Sequence, residues 1–389
     1  MKFHILAAGT LGNLIAHYLR KNKHSVTLLL RTPVSLSQFE RRQRTITVVQ
    51  QNGDTEQSKE YEAEVLRGFD VDDLVDQHFF YGTCPPNLQI QRLIVTTKAQ
   101  DVKRAFQRIF YRLSPESTIV LLTNGMGIYE ELMVNFFSQD EKLRPNILMG
   151  ASTHLAYRTK ELGSSYNLMH YGIGEIDLGI IPRREDSDQK VAPSKDNNDN
   201  SEIESTFQEE HLEAESKDSI IDDDIDQLPY IPQNSLRTTL EALTNIPELH
   251  CRHINVLSIQ NRLLENLVIN ACINPLTTIF SIRNGGLLFN PGADRVMQAI
   301  CQESSQVMQR HREFLGMRPS NRFGPNRIVD AVQQICKSTM NYKSTMLQDV
   351  IKRNVTEIDY LNGYLVRLGK FYGIPTPVNQ FVVDMVPKE

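Results

Sequence analysis

The first residues of the chain alternate between apolar and polar stretches in a way that predicts a strand, a turn, a helix and a second strand. Phe3 to Leu6 form an apolar run, and the turn AAGTLG (Ala7 to Gly12) follows it directly. Apolar residues then recur at helical spacing from Asn13 to Arg20, and a second apolar run from Val26 to Leu30 ends at Arg31. This order is typical of the βαβ unit that opens a dinucleotide-binding sheet.

The turn between the first strand and the helix has the chemistry of a phosphate site. Gly9 lets the backbone approach a pyrophosphate, and Gly12 lets the helix pack closely on the strand. The N–H groups of Thr10 and Leu11 lie at a helix N-terminus, where aligned peptide dipoles favour negative charge. Ala7 occupies the first glycine position of the G-x-G-x-x-G pattern, so the match is one glycine short. We expect these five residues to form the cofactor turn of a Rossmann-type domain.

Arg31 closes the second strand, where enzymes that use NAD carry an acidic residue for the ribose 2′-hydroxyl. A guanidinium at this position suits a 2′-phosphate, so the expected cofactor is NADPH (NADP+). The alternative is an ordinary βαβ unit with an exposed arginine, because a lone glycine motif is a weak signal.

Two further buried strands end in polar residues. Leu93 to Thr97 runs straight into Lys98, and Ser117 to Leu122 runs into a loop that contains Asn124. Functional groups of doubly wound sheets gather at the carboxyl ends of the strands, so we expect Lys98 and Asn124 to face the cofactor. A surface lysine that opens a helix and a plain β-turn are the alternatives.

Three other apolar stretches belong to the same half of the chain. Thr45 to Val49 is expected to be an edge strand. Asn146 to Gly150 and the runs within Tyr171 to Ile181 are expected to extend or close the sheet.

Length and composition limit the class of protein. A chain of 389 residues is long enough for two domains with separate cores. No apolar run approaches the ~20 residues that span a bilayer, and no signal peptide or Arg-rich presequence precedes the first strand, which favours the cytoplasm. The five cysteines are dispersed without a C-x-x-C pair, which favours reduced thiols and argues against a zinc site. We expect no metal.

The stretch from Arg184 to Leu228 differs in composition from the rest of the chain. Between residues 185 and 226 there are sixteen acidic and three basic residues, a net charge of −13 that leaves +8 for the rest of a chain whose total is −5. Such a segment cannot bury enough apolar surface to offset its ordering entropy, so we predict a disordered insertion at 184–228. It is a tolerated surface loop, or else a tether or an intramolecular mask for a basic face.

From Leu236 onward the pattern is helical. Asn266, Asn270 and Asn274 recur at every fourth residue and so share one face of a largely apolar helix, which points to a wall that faces a ligand or another domain. Pro275 is expected to break the hydrogen-bond ladder of that helix. Two further helices are predicted, at 293–314 and 345–372.

Several motifs together resemble the ketopantoate reductase (2-dehydropantoate 2-reductase) family. They are AAGTLG, Arg31, VTTK, NGMG, NACINPLT and STMLQD…TEIDYLNGY, and they occur in the family's order along the whole chain. The resemblance implies a Rossmann domain at 1–183 and, after the insertion, an all-α domain at 229–389 that is like the C-terminal domain of 6-phosphogluconate dehydrogenase. The helical domain would bind substrate and form a homodimer, with the active site between the two domains.

The resemblance also implies a reaction and its residues. Hydride would pass from NADPH to the keto carbon of ketopantoate, a 2-keto acid, in pantothenate and coenzyme A biosynthesis. Ala7 to Gly12 and Arg31 would hold the cofactor, with Lys98 and Asn124 near the nicotinamide. Asn270, Asn274 and Thr345 would bind the substrate, and Glu357 in TEID matches the active-site glutamate of the family.

Asn266 is the main departure from the family pattern. The family's catalytic lysine lies eight residues before the asparagine of the N-P pair, and Asn266 occupies that position here. An ammonium supplies both a charge and a proton to the alkoxide, whereas an amide supplies only a neutral hydrogen bond. Lys98 or Lys343 could replace it.

Three hypotheses about function follow. The first is an NADPH-dependent reductase that works with an altered acid. The second is a non-catalytic member, such as the fungal mitochondrial translational activator of cytochrome b messenger RNA, with RNA or the mitochondrial ribosome as partner and a mitochondrial location; the +8 balance outside the insertion is compatible with it. The third is a regulator that senses NADPH without turning it over.

Overall fold

The computed structural model describes residues 1–6, 9–66, 84, 86–137, 144–158, 166–183, 234–317 and 320–387. Within these ranges the chain forms two compact units. Residues 1–123, 135–183 and 234–259 belong to the first unit, and residues 124–134 and 260–387 belong to the second. The predicted acidic insertion at 184–228 with its two boundaries, and Ala7 in the glycine turn, lie outside the described residues.

The first unit is an α/β structure and the second is helical, which confirms the predicted fold class. The strands are β1 (Lys2–Leu6), β2 (Ser25–Leu30), β3 (Ile46–Gln50), β4 (Thr55–Ser58), β5 (Glu62–Val65), β6 (Arg92–Val95), β7 (Thr118–Leu121), β8 (Asn146–Ser152), β9 (Leu155–Arg158), β10 (Asn167–Gly172), β11 (Ile176–Ile181) and β12 (Cys251–His253). The helices are α1 (Thr10–Lys21), α2 (Pro33–Arg41), α3 (Ala99–Phe106), α4 (Ile128–Leu132), α5 (Ser235–Thr244), α6 (Val256–Ile279), α7 (Pro291–Phe314), α8 (Pro325–Ser338), α9 (Thr345–Ile351), α10 (Asn362–Tyr372) and α11 (Pro377–Met385).

Within the part of the chain that the structure describes, eight strands form the main sheet in the order β12-β11-β8-β7-β6-β1-β2-β5. All neighbouring pairs are parallel except β8 and β11, which are antiparallel. The central strands are almost continuously buried, as expected for a parallel sheet that is covered on both faces. The carboxyl ends of β1, β2, β6 and β7 therefore lie side by side at one edge.

A second sheet has the order β4-β3-β10-β9. The prediction that Thr45 to Val49 is an edge strand is wrong, because β3 pairs with β4 on one side and with β10 on the other. The stretch from Tyr171 to Ile181 divides between the sheets: its first residues end β10, and β11 extends the main sheet. A single apolar run carries no information about which neighbour it will pair with, which is why the pattern did not separate the two sheets.

Helix α1 packs against strands of both sheets. All eight residues from Gly12 to Leu19 are buried, so the helix is covered on every side. Its polar residues therefore need internal partners. The Tyr18 hydroxyl donates to His170 Nδ1 at 3.0 Å, and His170 Nε2 donates to His154 Nδ1 at 3.1 Å. This assignment of donors follows from the Gly174 N–H, which also donates to His154 Nδ1 at 3.1 Å, so that nitrogen carries no proton.

Helix α5 and strand β12 pack in the first unit, although they follow the insertion in the sequence. Leu236, Leu240 and Leu243 of α5 belong to the same apolar cluster as Ile5 of β1. Strand β12 pairs in parallel with β11 and completes one end of the main sheet. The helical periodicity that begins at Leu236 is thus real, but its first helix covers the α/β sheet.

The second unit is built around α6, α7, α8, α10 and α11, whose apolar residues share one core. The prediction of a helix at 293–314 agrees with α7. The prediction of one helix over 345–372 is wrong, since α9 ends at Ile351 and α10 begins at Asn362. Arg353 between them has φ +57°, which an α-helix cannot contain, and the Asn354 N–H turns back to the Asp349 carbonyl at 2.9 Å.

All five cysteines are free and buried, which agrees with the predicted reduced thiols. Cys272 on α6 and Cys301 on α7 bring their sulfur atoms to 3.5 Å. Burial raises the pKa of Cys251 to about 12 and of Cys336 to about 11, which suppresses their thiolate forms. Among the described helices none is both long and apolar enough to cross a membrane.

Candidate functional site

Three predicted cofactor residues follow the carboxyl ends of neighbouring strands in the first unit. Gly9 lies just beyond β1, Arg31 follows the last residue of β2, and Lys98 lies just beyond β6. Because β1 pairs in parallel with both β2 and β6, these ends share one edge of the sheet. The structure thus brings together residues that are far apart in the sequence.

The glycine turn ends where α1 begins. Gly9 is the N-cap residue and provides no side-chain cap, and the first intrahelical bond runs from the Asn13 N–H to the Gly9 carbonyl at 3.0 Å. The backbone N–H groups of Thr10, Leu11 and Gly12 precede that bond, so they are the donors that a helix leaves for an anion. No acidic residue lies in the first turn of α1. The helix start therefore has the charge and the donors that a pyrophosphate requires.

The described residues leave room beside Gly9. Among them, a Cβ atom built on Gly9 would come within 4 Å of the Thr96 carbonyl alone, at an ordinary 3.7 Å. Gly9 has φ −70° and ψ −178°, which any residue can adopt, so the glycine is not needed for the backbone conformation. Gly9 leaves the edge of the sheet without a side chain at this point, which is the geometry that the close approach of a phosphate requires.

Arg31 projects from the same edge with 66% of its side chain exposed. Its Nη1 lies 3.6 Å from Oδ2 of Asp101, which belongs to the first turn of α3. An exposed ion pair at this distance contributes little to stability, so the contact with Asp101 does not hold the Arg31 guanidinium in one position. Asp101 is not among the predicted site residues, although an acidic residue three positions after Lys98, in the first turn of a helix, is a signal that the sequence contains.

Lys98 is the N-cap residue of α3 and is half-buried. Its backbone is extended, with φ −62° and ψ 146°, so the side chain leaves the strand just before the helix starts. The preceding Thr97 is buried and donates its hydroxyl to the Leu6 carbonyl at 3.3 Å, which ties the end of β6 to the end of β1. Lys98 is therefore held on a rigid part of the sheet edge.

The second unit carries the predicted substrate residues on α6. Asn266 and Asn270 are half-buried, and Asn274 is only 6% exposed. No hydrogen bond of these three side-chain amides is found with any residue that the structure describes. Their polar side-chain atoms are not among the fully buried atoms that lack a partner, so the stripe presents amide groups that a ligand or water can reach, as a binding wall does.

Asn274 is joined to the start of α9, where Thr345 lies. Ser344 is the N-cap of α9 and accepts the Leu347 N–H at 3.1 Å. Its hydroxyl donates to the Asn274 carbonyl at 3.5 Å and accepts from Thr277 Oγ1 at 2.7 Å. Ser344 is buried, whereas Thr345 is exposed. Thr345 is the residue predicted from the sequence, whereas Ser344 is not, although the preference for serine at a helix N-cap is a signal for it.

A second contact joins the loop of Asn124 to the turn of Glu357. Glu357 is 5% exposed and precedes the 3₁₀ turn Ile358–Tyr360. The Met126 N–H donates to the Tyr360 carbonyl at 3.0 Å. The side chain of Asn124 is exposed, so this predicted residue lies at the surface of the helical unit, on a loop that is anchored beside the glutamate turn.

The Tyr360 side chain completes this anchor. Its hydroxyl donates to Glu131 Oε2 on α4 at 2.9 Å. Burial raises the pKa of Tyr360, and the neighbouring Glu131 carboxylate raises that pKa further, so the phenol stays protonated as a donor. No motif in the sequence points to this pair, because the two residues are more than two hundred positions apart.

A mostly parallel sheet with a glycine turn at its carboxyl edge, followed by a helical unit, defines a two-domain Rossmann-type protein. Residues 3–183 match the sequence profile described as ketopantoate reductase PanE/ApbA, and residues 258–388 match the profile of its C-terminal part. The chain therefore belongs to the ketopantoate reductase PanE/ApbA family, as its motifs predict.

Individual relatives are distant but cover the whole chain. A protein of Schizosaccharomyces pombe named probable 2-dehydropantoate 2-reductase is 23% identical and covers 97% of this chain and 93% of its own. A probable 2-dehydropantoate 2-reductase of Bacillus subtilis has a similar structure, with a TM-score of 0.61, 22% identity and 99% of both chains covered. D-mandelate dehydrogenase with NADH and anilino(oxo)acetate superposes with a TM-score of 0.68 at 17% identity, over 99% of this chain and 97% of its own.

Proposed function

We propose that the protein is an NADPH-dependent oxidoreductase that reduces ketopantoate, or a closely related 2-keto acid, to the 2-hydroxy acid. The observation that carries the proposal is the set of side-chain amides on α6, which have no hydrogen-bond partner within the described residues, on a helix whose Asn274 main-chain carbonyl accepts from Ser344 at the start of α9. Such donors suit a carboxylate and a keto oxygen. The names of the full-length relatives support the same reaction.

The open start of α1 supports the cofactor part of the proposal. The N–H groups of Thr10, Leu11 and Gly12 would hold the pyrophosphate, and Arg31 would bind the 2′-phosphate that distinguishes NADPH from NADH. Lys98 would bind near the nicotinamide end, since it lies at the same sheet edge. When bound, the nicotinamide supplies the hydride that reduces the keto carbon.

The residues of the helical unit would orient the keto acid and stabilise the alkoxide. Asn270, Asn274 and Thr345 would donate hydrogen bonds to the substrate, with Glu357 as the acidic group of the site. Asn266 would donate a neutral hydrogen bond to the developing oxyanion, but an amide has no proton to give at neutral pH. The proton would then come from Lys98 or from water. We therefore expect the turnover rate to be lower by a factor of ~10²–10⁴ than that of a site with a lysine at position 266.

The test is NADPH oxidation by the purified full chain with ketopantoate, alongside Asn266→Lys and the matched control Asn266→Gln. Slow turnover that rises in Asn266→Lys but not in Asn266→Gln supports the proposal. A direct NADPH titration runs in parallel. Failure of the wild-type protein to bind NADPH would contradict the proposed function.

Because Asn266 stands in place of the lysine, the same experiment also tests the two non-catalytic alternatives. NADPH binding without turnover, with activity only in Asn266→Lys, would make the protein an NADPH sensor. Absence of cofactor binding, together with RNA or mitochondrial ribosomes recovered with the protein, would favour the translational activator.

Assembly and location complete the proposal. We expect a homodimer formed through the helical unit, which light scattering of the purified protein tests directly. We expect the protein in the cytoplasm, and cell fractionation that recovers it with mitochondria would contradict this.

A further inference from the structure

Pro275 lies inside α6, yet the helix continues to Ile279. Proline has no backbone N–H, so the carbonyl four residues earlier, that of Ala271, lacks its regular helical hydrogen bond. The side-chain amide of Asn362, at the start of α10, donates to this oxygen at 3.0 Å. Ala271 and Asn362 are both completely buried. Asn362 thus replaces the donor that the proline lacks.

Asn362 is held in place by two other helices. Its amide also donates to Asn379 Oδ1 at 3.0 Å, so both of its hydrogens are used. Asn379 Nδ2 donates in turn to Glu303 Oε2 at 2.7 Å. The Glu303 carboxylate, 8% exposed on α7, also accepts the N–H groups of Val378 and Asn379 at 2.8 Å and 2.9 Å, which caps the first turn of α11.

The supported carbonyl is close to the stripe of side-chain amides. Asn270 directly precedes Ala271, and Asn274 directly precedes Pro275. Helices bend at proline because the ladder is interrupted there and the ring presses on the preceding turn. The size of the bend sets the direction of Asn274 relative to Asn270.

We propose that Asn362, held by Asn379 and Glu303, is a positioning residue. Its amide sets the bend of α6 at Pro275 and so aims the side chains of Asn270 and Asn274 at the 2-keto acid. The identity of the ligand rests on the proposed function, whereas the positioning rests on the contacts of the helical unit.

The experiment compares Asn362→Leu with the double variant Asn362→Leu/Pro275→Ala. Leucine removes the donor, and alanine at position 275 restores a backbone N–H for the Ala271 carbonyl. The first readout is the nitrogen and proton shifts of the Asn270 and Asn274 side-chain amides in the ligand-free full chain. We expect both pairs of resonances to move in Asn362→Leu and to return toward their wild-type positions in the double variant.

The second readout separates substrate binding from cofactor binding. We expect KM for ketopantoate to rise about tenfold in Asn362→Leu, with the NADPH dissociation constant unchanged, and to recover in the double variant. Ser305→Ala is the matched control. It removes a different buried hydrogen bond, from the Ser305 hydroxyl on α7 to the Phe323 carbonyl at 2.5 Å. It should therefore lower the melting temperature without moving the resonances of the Asn270 and Asn274 amides.

The outcomes distinguish this inference from the proposed function. A wild-type protein that does not bind ketopantoate would contradict the function, and the amide resonances would still decide the positioning. Resonances that stay in place in folded Asn362→Leu, or that fail to return in the double variant, would overturn the inference. Should Asn362→Leu not fold, Asn379→Ala releases Asn362 without removing its amide, and it must move the same resonances or the inference is wrong.

Discussion

The Met126 N–H donates to the Tyr360 carbonyl at 3.0 Å, and this bond fastens the loop of Asn124 to the turn that contains Glu357. Gly125 makes the approach possible, since it has φ +90° and no side chain. A Cβ atom on Gly125 would lie 2.8 Å from Tyr360 Cβ and 3.0 Å from the Tyr360 carbonyl oxygen. The placement of Asn124 beside the turn of Glu357 therefore depends on Gly125.

Gly125→Ala is expected to destabilise the helical unit and to weaken turnover. The positive φ alone costs about 1–2 kcal/mol for an L-residue, and displacement of Tyr360 adds to it. Gly53→Ala is the matched control, because Gly53 also has φ +90° but no atom of the described part of the chain within 4 Å of its Cβ position. Urea unfolding followed by circular dichroism measures both variants. Equal losses of unfolding free energy would contradict a specific role for the contact with Tyr360.

Ser344 and Thr345 are neighbours with different expected roles. Ser344→Ala removes an N-cap and a buried partner of Thr277, so it should lower the free energy of unfolding by about 1–2 kcal/mol. Thr345→Ala removes an exposed hydroxyl, so it should leave stability unchanged and raise KM for the keto acid. The pair of melting curves and steady-state assays checks this. The reverse pattern would show that Ser344 is the substrate ligand.

Arg31 should determine the choice of cofactor. Arg31→Ala is expected to weaken NADPH binding by about 10- to 100-fold, because hydrogen bonds to a charged group contribute about 1.5–3 kcal/mol. NADH binding should change little. Arg41→Ala, at an exposed position on α2, controls for the loss of a surface charge. Fluorescence titration with both cofactors gives the result, and a parallel loss of NADH affinity would argue against contact with the 2′-phosphate.

Acid should weaken the packing of α1 against the second sheet. Burial, with a smaller contribution from His154, lowers the pKa of His170 from 6.5 to about 4. Between these values the unfolded chain binds the proton more tightly than the folded chain does, so the free energy of unfolding falls as the pH falls through this window. Burial also lowers the pKa of His154, whose Nδ1 is already occupied by two donors.

His170→Gln provides the measurement. The variant should be less stable than wild type at about pH 7, because the Tyr18 hydroxyl loses its acceptor. It should also lose less stability than wild type between about pH 7 and about pH 5, since one titrating ring is gone. Urea unfolding at several pH values tests this. An unchanged dependence on pH would mean that other buried groups carry the effect.

Much of the candidate site follows from local pattern. Gly9 stands after a strand and before a helix, and Arg31 and Lys98 each follow another strand. In a parallel sheet, these positions place all three residues at one edge. The spacing of Asn266, Asn270 and Asn274 on one helix face is equally local, because it depends only on the helical repeat. Their roles in binding and catalysis remain predictions.

The contacts that hold these residues could not be predicted from the sequence. Three hydrogen bonds join segments that are distant in the chain: those between Thr277 and Ser344, Tyr360 and Glu131, and Asn362 and Ala271. Partner choice in such pairs depends on which helices pack together, and periodicity describes only the face that a helix buries. The same reason explains why the sheet of β3 and the placement of α5 were found only in the structure.

The sequence by itself determined the opening βαβ unit, the helical second half and the family, because strand, turn and helix signals are short-range and the motifs occur in order. The tertiary structure decided which strands pair, which unit each helix covers and how α6 continues through Pro275. These are long-range choices: they depend on which buried donor meets which acceptor and on which apolar faces fit together, and no local stretch of sequence contains both halves of that match.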